Sequence, residues 1–395
     1  MPLHPKEPLL TDSTSSSLLF FALITGVFVL MGCRPEVPNS STKMEPILIG
    51  FFGALTGNAA GLGQYTEMGA TLAVEEINAS GGVLGHPLEL RREDNRSLAG
   101  ESATIVKKLL SRDQVVAIVG DANSGRCLEA GPLCQAAGIP MISPAATLPQ
   151  VTEIGDFIFR VCFTDPFQGK LMAEFARKNL SLKRIGFLVD ATSPYSLGLA
   201  DVFRDRFTAE GGLVIGEQRY NGGDKDFRAQ LTALKADGVE AIFAPRYYHS
   251  GGLILRQARE LALTFPMLGG DGWEAPELID VGGSAADGAY FPVHFFAETP
   301  TPATRDFLDR FHRRFGKFPT GVSALAFDTL QMIGDALRRS NSIRPKSIRD
   351  ELAVTRDFPG ITGLITMDSH HNAQKSAVIV GVKAGSFQFV SVIEP

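Results

Sequence analysis

The sequence predicts a two-lobe α/β protein, each lobe built on a mostly parallel, doubly wound sheet. Three observations carry this. Short apolar runs rich in β-branched residues alternate with amphipathic helical segments from Ile47 to Leu268, an order that builds parallel sheets. The alternation completes one cycle, then starts again near Asp165. At 395 residues, the chain is also longer than a single hydrophobic core usually supports. After Ala289–Val293 the pattern changes to long helices and late strands, which must return to the two earlier sheets. Expected lobes are 46–164 with 296–365, and 165–295 with 366–395. Several crossovers then form a hinge that closes on a ligand held between facing loops.

In the first cycle, Ile47–Leu55 reads as an apolar strand and Thr56–Gly63 as a flexible loop. Gln64–Ile77 has its apolar residues at helical spacing and is stopped by NASGGVLG at 78–85. Leu88–Arg92 is a strand and Ala99–Ser111 a helix. Val115–Val119 is a strand, Gly120–Ser124 a turn, Arg126–Ala137 a helix and Ile139–Ser143 a strand, with Ser124 a candidate N-cap. Phe157–Val161 closes the cycle. The second cycle places helices at Phe167–Asn179, Ser196–Ala209, Asp226–Lys235 and His249–Leu261. Its strands fall at Arg184–Val189, Leu213–Arg219, Val239–Ala244 and Pro266–Leu268. The last part reads as helices Pro302–Phe315, Val322–Arg339 and Pro345–Leu352, followed by strands Ile361–Met367, Ala377–Val382 and Phe387–Ile393.

Hydrophobic residues make up 44% and charged residues 21%, as in a soluble globular protein. The net charge is −5 and no long basic run occurs, which argues against nucleic acid as the main partner. Leu18–Met31 is an uncharged, mostly apolar run, short for a membrane span and suited to a signal-peptide core. It ends at Leu30-Met31-Gly32-Cys33, which resembles the lipobox of bacterial lipoproteins. That resemblance makes residues 1–33 a signal peptide with lipobox, Cys33 the lipidated first residue of the mature chain, and 34–45 a polar tether. Of the other cysteines, Cys127 and Cys134 lie seven apart on one predicted helix, roughly 10 Å at 1.5 Å per residue. That exceeds the ~7 Å between Cα atoms that a disulfide spans. No CxxC spacing occurs, so Cys127, Cys134 and Cys162 are expected to be buried thiols and no metal site is expected.

The candidate site begins between Val115 and Thr147. In a βαβ unit both strand C-termini reach the same sheet edge, where ligands of open α/β sheets bind. Ser124 and Thr147 therefore share one rim beside helix-start N–H groups, a place for a small anion such as a carboxylate. Tyr195, Tyr247 and Asp271 follow strands of the second cycle and can face that rim. No Walker A, GxSxG, HExxH or dinucleotide fingerprint is present, and the seven His residues show no metal spacing. An enzyme is not expected, nor a cofactor.

The strand and Thr-Gly loop at 47–57, the helix ending EEINASGG at 75–82, the segment GIPMISPAAT at 138–147, Tyr195, Arg256-Gln257-Ala258 and Gly270-Asp271-Gly272 form a recognisable set. Together they resemble the leucine/isoleucine/valine-binding proteins of bacterial ABC importers, of the type I periplasmic binding protein fold. The resemblance runs from Ile47 to the C-terminus. It implies that Ser124 and Thr147 hold a ligand α-carboxylate, helped by backbone N–H groups, with Ala146 also among the ligand-binding residues. It implies that the Ala145 carbonyl and Asp271 take the α-ammonium, and that Tyr195 and Tyr247 cover the ligand. Leu62 falls where branched-chain binders carry an aromatic residue in the first loop, and Gly125 replaces a residue that is often polar.

The physical chemistry agrees, since a zwitterion suits paired donors at one end and a carboxylate with a carbonyl at the other. Three or four charge-assisted hydrogen bonds at ~1.5–3 kcal/mol each, less association entropy and plus apolar side-chain burial, reach about −8 kcal/mol, a micromolar Kd. The expectation is a monomeric, lipid-anchored lipoprotein in the periplasm or on the outer face of a bacterial membrane. It would capture a small amino acid, branched-chain or related, or a short amide, and deliver it to ABC permease subunits. The alternative is a ligand-sensing module of a signalling system with the same fold.

Overall fold

Two sheets form in succession along the chain, and the computed structural model describes residues 44–297 and 302–394. The expectations for residues 1–33 and 34–43, Cys33 included, lie outside the described residues. The first sheet is made by β1 (Ile47–Gly53), β2 (Leu88–Asp94), β3 (Ala117–Val119), β4 (Met141–Ser143) and β5 (Ile158–Arg160). Its order is β2-β1-β3-β4-β5 and every pairing is parallel. Between the strands run α1 (Ala60–Ala79), α2 (Glu101–Ser111) and α3 (Ser124–Ala137). The central strands are buried on both faces, which is why they read as continuous apolar runs rather than alternating ones. Helix α3 stops at Gly138, whose left-handed φ of 64° lets its N–H reach the Cys134 and Gln135 carbonyls.

The second cycle supplies α4 (Asp165–Lys178), β6 (Arg184–Asp190), α5 (Pro194–Ala209), β7 (Leu213–Tyr220), α6 (Arg228–Ala236) and β8 (Ala241–Phe243). It continues with α7 (Tyr248–Glu260), β9 (Met267–Leu268), α8 (Glu277–Gly282) and β10 (Ala289–Val293). The chain then returns through α9 (Pro302–Phe315), α10 (Gly321–Ser340) and α11 (Pro345–Ala353). It finishes with β11 (Phe358–Gly360), β12 (Gly363–Met367), β13 (Ala373–Gln374), β14 (Ala377–Lys383) and β15 (Ser386–Ile393). The second sheet has the order β15-β14-β10-β9-β8-β6-β7, parallel from β7 to β10 and antiparallel at β14 and β15.

Helix α10 packs along α1 so closely that a Cβ at Gly69 would lie 2.0 Å from the Ser323 carbonyl oxygen. That contact ties the returning helix to the first sheet. The chain crosses between sheets after β5, after β10 and through Lys375-Ser376 between β13 and β14.

Three local expectations change. Helix α1 starts at Ala60, so Leu62 lies on a helix and not in a loop. The N-cap of α3 is Asn123, whose side chain accepts the Arg126 N–H, so Ser124 is already inside the helix. The predicted strand Ile361–Met367 joins neither large sheet: β12 pairs with β11 and β13 in a separate antiparallel ribbon. The cause is Asp328, buried on α10, which accepts the Ile361 and Thr362 N–H groups and the Thr362 hydroxyl. Buried Lys375 bonds the same hydroxyl. Residues 366–374 therefore stay with the first layer, and the last crossing comes at Lys375 rather than 366. Cys127, Cys134 and Cys162 are free and buried, as expected.

Candidate ligand-binding site

The C-terminal ends of both sheets face one small cavity with about 10 Å³ of free volume. Leu62, Ala122, Ser124, Ala145 and Thr147 line it from the first layer. Tyr195, Tyr247, Asp271 and Gly272 line it from the second, and Val322 of α10 completes the wall. Of the residues expected from sequence to touch a ligand, all but Ala146 meet there; Gly125 lines the wider cleft beside it, and Cys33 is undescribed. Ala146 is turned away: its carbonyl accepts Arg160 Nη1 at 2.7 Å and its N–H donates to Ser143 Oγ at 2.8 Å.

The first wall is a backbone structure held from behind. Arg160, fully buried on β5, donates Nη2 to the Leu148 and Pro149 carbonyls at 2.7 and 3.0 Å and to Thr152 Oγ1 at 3.1 Å. With the Ala146 bond, one guanidinium fixes three carbonyls of the turn carrying Ala145 and Thr147, and it brings a positive charge behind a candidate carboxylate site. Ser143 Oγ also donates to the Asp121 carbonyl at 2.7 Å, tying this turn to the start of α3. Asp121 Oδ1 accepts the Asn123 N–H at 2.9 Å and so sets the cap. Because Asn123 does the capping, the Ser124 hydroxyl is left to the cavity side, where it accepts the Leu148 N–H at 3.4 Å.

The second wall is aromatic and acidic. Tyr195 and Tyr247 stack with centroids 5.3 Å apart, and Arg246 lies over Tyr247 while pairing with Asp190 at 2.8 Å. The buried Tyr247 Oη has no hydrogen-bond partner among the described residues. Asp271 Oδ1 accepts from Tyr195 Oη at 2.7 Å and Gln168 Nε2 at 2.9 Å, and its Oδ2 lies 3.1 Å from His294 Nε2. Gln168 Nε2 also donates to Asp165 Oδ1 at 2.7 Å, so one amide joins two buried carboxyls. Burial, reinforced by the Asp271 charge, pushes the Asp165 carboxyl up to about 7. Burial likewise pushes Glu274 up to about 8, against the stabilising Gly321 N–H.

Gln168 and His294 were not legible from sequence as site residues. Gln168 sits one turn into a helix among other polar positions. His294 directly follows β10, and that place at a strand C-terminus on the binding edge is the one signal that pointed to it.

Outside the cavity, bonds among the described residues also join the layers. Tyr248 Oη at the start of α7 accepts the Gly61 N–H of α1 at 2.9 Å, and Glu274 accepts the Gly321 N–H of α10. In each, an oxygen from the second layer meets a helix N-terminus of the first, where partial positive charge gathers. A wider polar cleft of about 330 Å³, with Asn58, Asn123, Thr192 and His249 among its walls, shares Tyr247 with the cavity.

The sequence model of the periplasmic binding proteins matches residues 46–386. This chain is a periplasmic binding protein. A Leu/Ile/Val-binding protein of Rhizobium johnstonii, BraC3, is 32% identical over 246 residues, covering 62% of this chain and 66% of that one. Among solved structures, the leucine-binding protein LivK of Thermotoga maritima superposes with a TM-score of 0.84 at 37% identity, covering 88% of this binding protein and 99% of LivK. LivJ of Streptococcus pneumoniae, determined with isoleucine, gives 0.85 at 33% identity, covering 89% and 100%. The binding protein thus belongs to the branched-chain amino-acid transport family, has its type I fold, and works outside the cytoplasm.

Proposed function

We propose that this binding protein captures a free α-amino acid, branched-chain or related, between its lobes and delivers it to an ABC permease while anchored to the membrane through a lipid on Cys33. The observation that carries the reading is the polarity of the cavity. A hydroxyl-bearing turn backed by the Arg160 cation forms one wall, and the Asp271 carboxylate stands on the other. Ser124, Thr147 and the backbone beside Ala145 would take the carboxylate, while Asp271 and the Ala145 carbonyl would take the ammonium. Leu62, Val322, Tyr195 and Tyr247 would bury the side chain.

About 10 Å³ is room for at most one water, so admission of an amino acid requires the two walls to separate. Hinge motion at the three crossings supplies that separation, and release to a permease is then coupled to opening. Calorimetry of the purified protein against all proteinogenic amino acids and short amides tests the reading; binding by none of them overturns it. Cys33→Ser is expected to release the protein from membranes, and continued attachment would replace the lipid with an uncleaved anchor.

A further inference from the structure

Among the described residues, Asp271 is the only carboxylate lining the cavity. We propose that His294 is a positioning residue and a proton-sensitive gate for this carboxylate. As a neutral Nε2–H donor it fixes Oδ2 and leaves the negative charge for a ligand ammonium; once protonated it cancels that charge and excludes the ammonium. The inference rests on the amino-acid reading above.

The geometry is specific. His294 is nearly fully buried, its ring centroid 3.8 Å from that of Phe163, and its Nε2 reaches Oδ2, the oxygen not used by Tyr195 and Gln168. Its Nδ1 is buried with no hydrogen-bond partner among the described residues. The neutral Nε2–H tautomer therefore satisfies Asp271 and leaves only a bare lone pair at Nδ1. The cation would bury an unbonded N–H there, which costs more.

Charged and titratable groups face the ring from three places. Asp271, from the loop after β9, attracts its proton; Lys375, from the link between β13 and β14, repels it; Glu274 accepts the His294 backbone N–H. Phe163, from the link between β5 and α4, contributes no charge. Burial is the largest influence and holds the imidazole below its ordinary value, with Asp271 opposing. The ring is thus neutral at neutral pH and takes up its proton in acid. A protein working outside the cytoplasm meets such pH changes directly, so acid would empty the site.

The test is the Kd of wild type, H294Q and H294A between pH 5.5 and 7.5, with L-leucine as first probe and the other proteinogenic amino acids after it. Wild-type affinity is expected to fall toward the acid end, and to fall further than that of H294Q. At pH 7.5, H294A should bind about tenfold more weakly than wild type, and H294Q, which keeps an N–H donor, should recover most of that loss. A slope in H294Q equal to that of wild type, or no slope in wild type, overturns the gate alone. No amino-acid binding by wild type overturns the proposed function together with it. In the ligand-free protein, the His294 imidazole titration read by NMR should move to lower pH in D271N; an unchanged titration overturns the pairing whatever the ligand proves to be.

Discussion

The two walls of the cavity are built differently, and under the proposed function they would read opposite charges by opposite means. The first, on the five-stranded sheet, presents hydroxyls and backbone groups, with the Arg160 cation set behind the turn and spent on carbonyls. The second, on the seven-stranded sheet, places a carboxylate in the cavity and surrounds it with groups that titrate. A carboxylate can be held by neutral dipoles because several N–H and O–H donors converge on it. An ammonium needs a formal negative charge to offset its desolvation. The first wall lines the cavity with neutral groups, while the second lines it with a carboxylate backed by groups that titrate.

Breaking the second wall should have the largest effect. Asp271→Ala leaves an ammonium unpaired in a closed cavity and strands Gln168, Tyr195 and His294. Calorimetry should show a loss of ~3 kcal/mol, over a hundredfold in Kd. An affinity that barely changes would mean a ligand without an ammonium, such as a short amide.

The first wall should fail through its support. Arg160→Leu uncouples three carbonyls and should lower unfolding free energy in urea by about 3 kcal/mol, with weaker ligand binding alongside. A variant as stable as wild type would show that the turn holds itself.

The contrast in titration can be sharpened by melting the ligand-free protein across pH. Asp165 and Glu274 have folded values of about 7 and about 8, raised above those of the unfolded chain. The folded state thus binds more protons than the unfolded state between roughly pH 4 and those values, so stability should fall as pH rises through that window. Glu274→Gln should flatten the upper part, near pH 8, by a few degrees in Tm, about what a 1 kcal/mol change produces. An identical pH profile in the variant would assign the dependence elsewhere.

Smaller effects separate individual donors. Thr147→Val keeps the shape and removes the hydroxyl, so affinity should drop about tenfold, ~1–2 kcal/mol. Tyr247→Phe removes a buried hydroxyl that has no hydrogen-bond partner among the described residues. It should leave folding unchanged or raise stability by up to about 1 kcal/mol, while weakening ligand binding only a few-fold. A larger binding loss would show that Tyr247 Oη bonds the ligand.

Much of this was legible in the sequence because burial on both faces writes parallel strands as unbroken apolar runs. The loops that follow them then fall on one edge, and so Ser124, Thr147, Tyr195, Tyr247 and Asp271 could be placed together before any coordinates. What was hidden came from contacts between distant segments. Leu62 read as loop because Gly61 and Gly63 flank it, yet α1 begins before it, its start held by Tyr248, 187 residues away. Ala146 shares a turn with two lining residues, and only the guanidinium beneath decides which carbonyl turns inward. The ribbon containing β12 depends on Asp328 and Lys375, two buried side chains whose link through the Thr362 hydroxyl no local pattern records.

The Tyr248–Gly61 and Glu274–Gly321 contacts bear on how long a ligand stays. Both must break when the layers part, yet neither touches the cavity. Part of the work of letting go is therefore set by the protein and not by its cargo. If two amino acids differ in affinity, their escape rates still share this common barrier. The dwell time of a weakly held amino acid can then be tuned at Tyr248 or Glu274 without rebuilding the surface that recognises it.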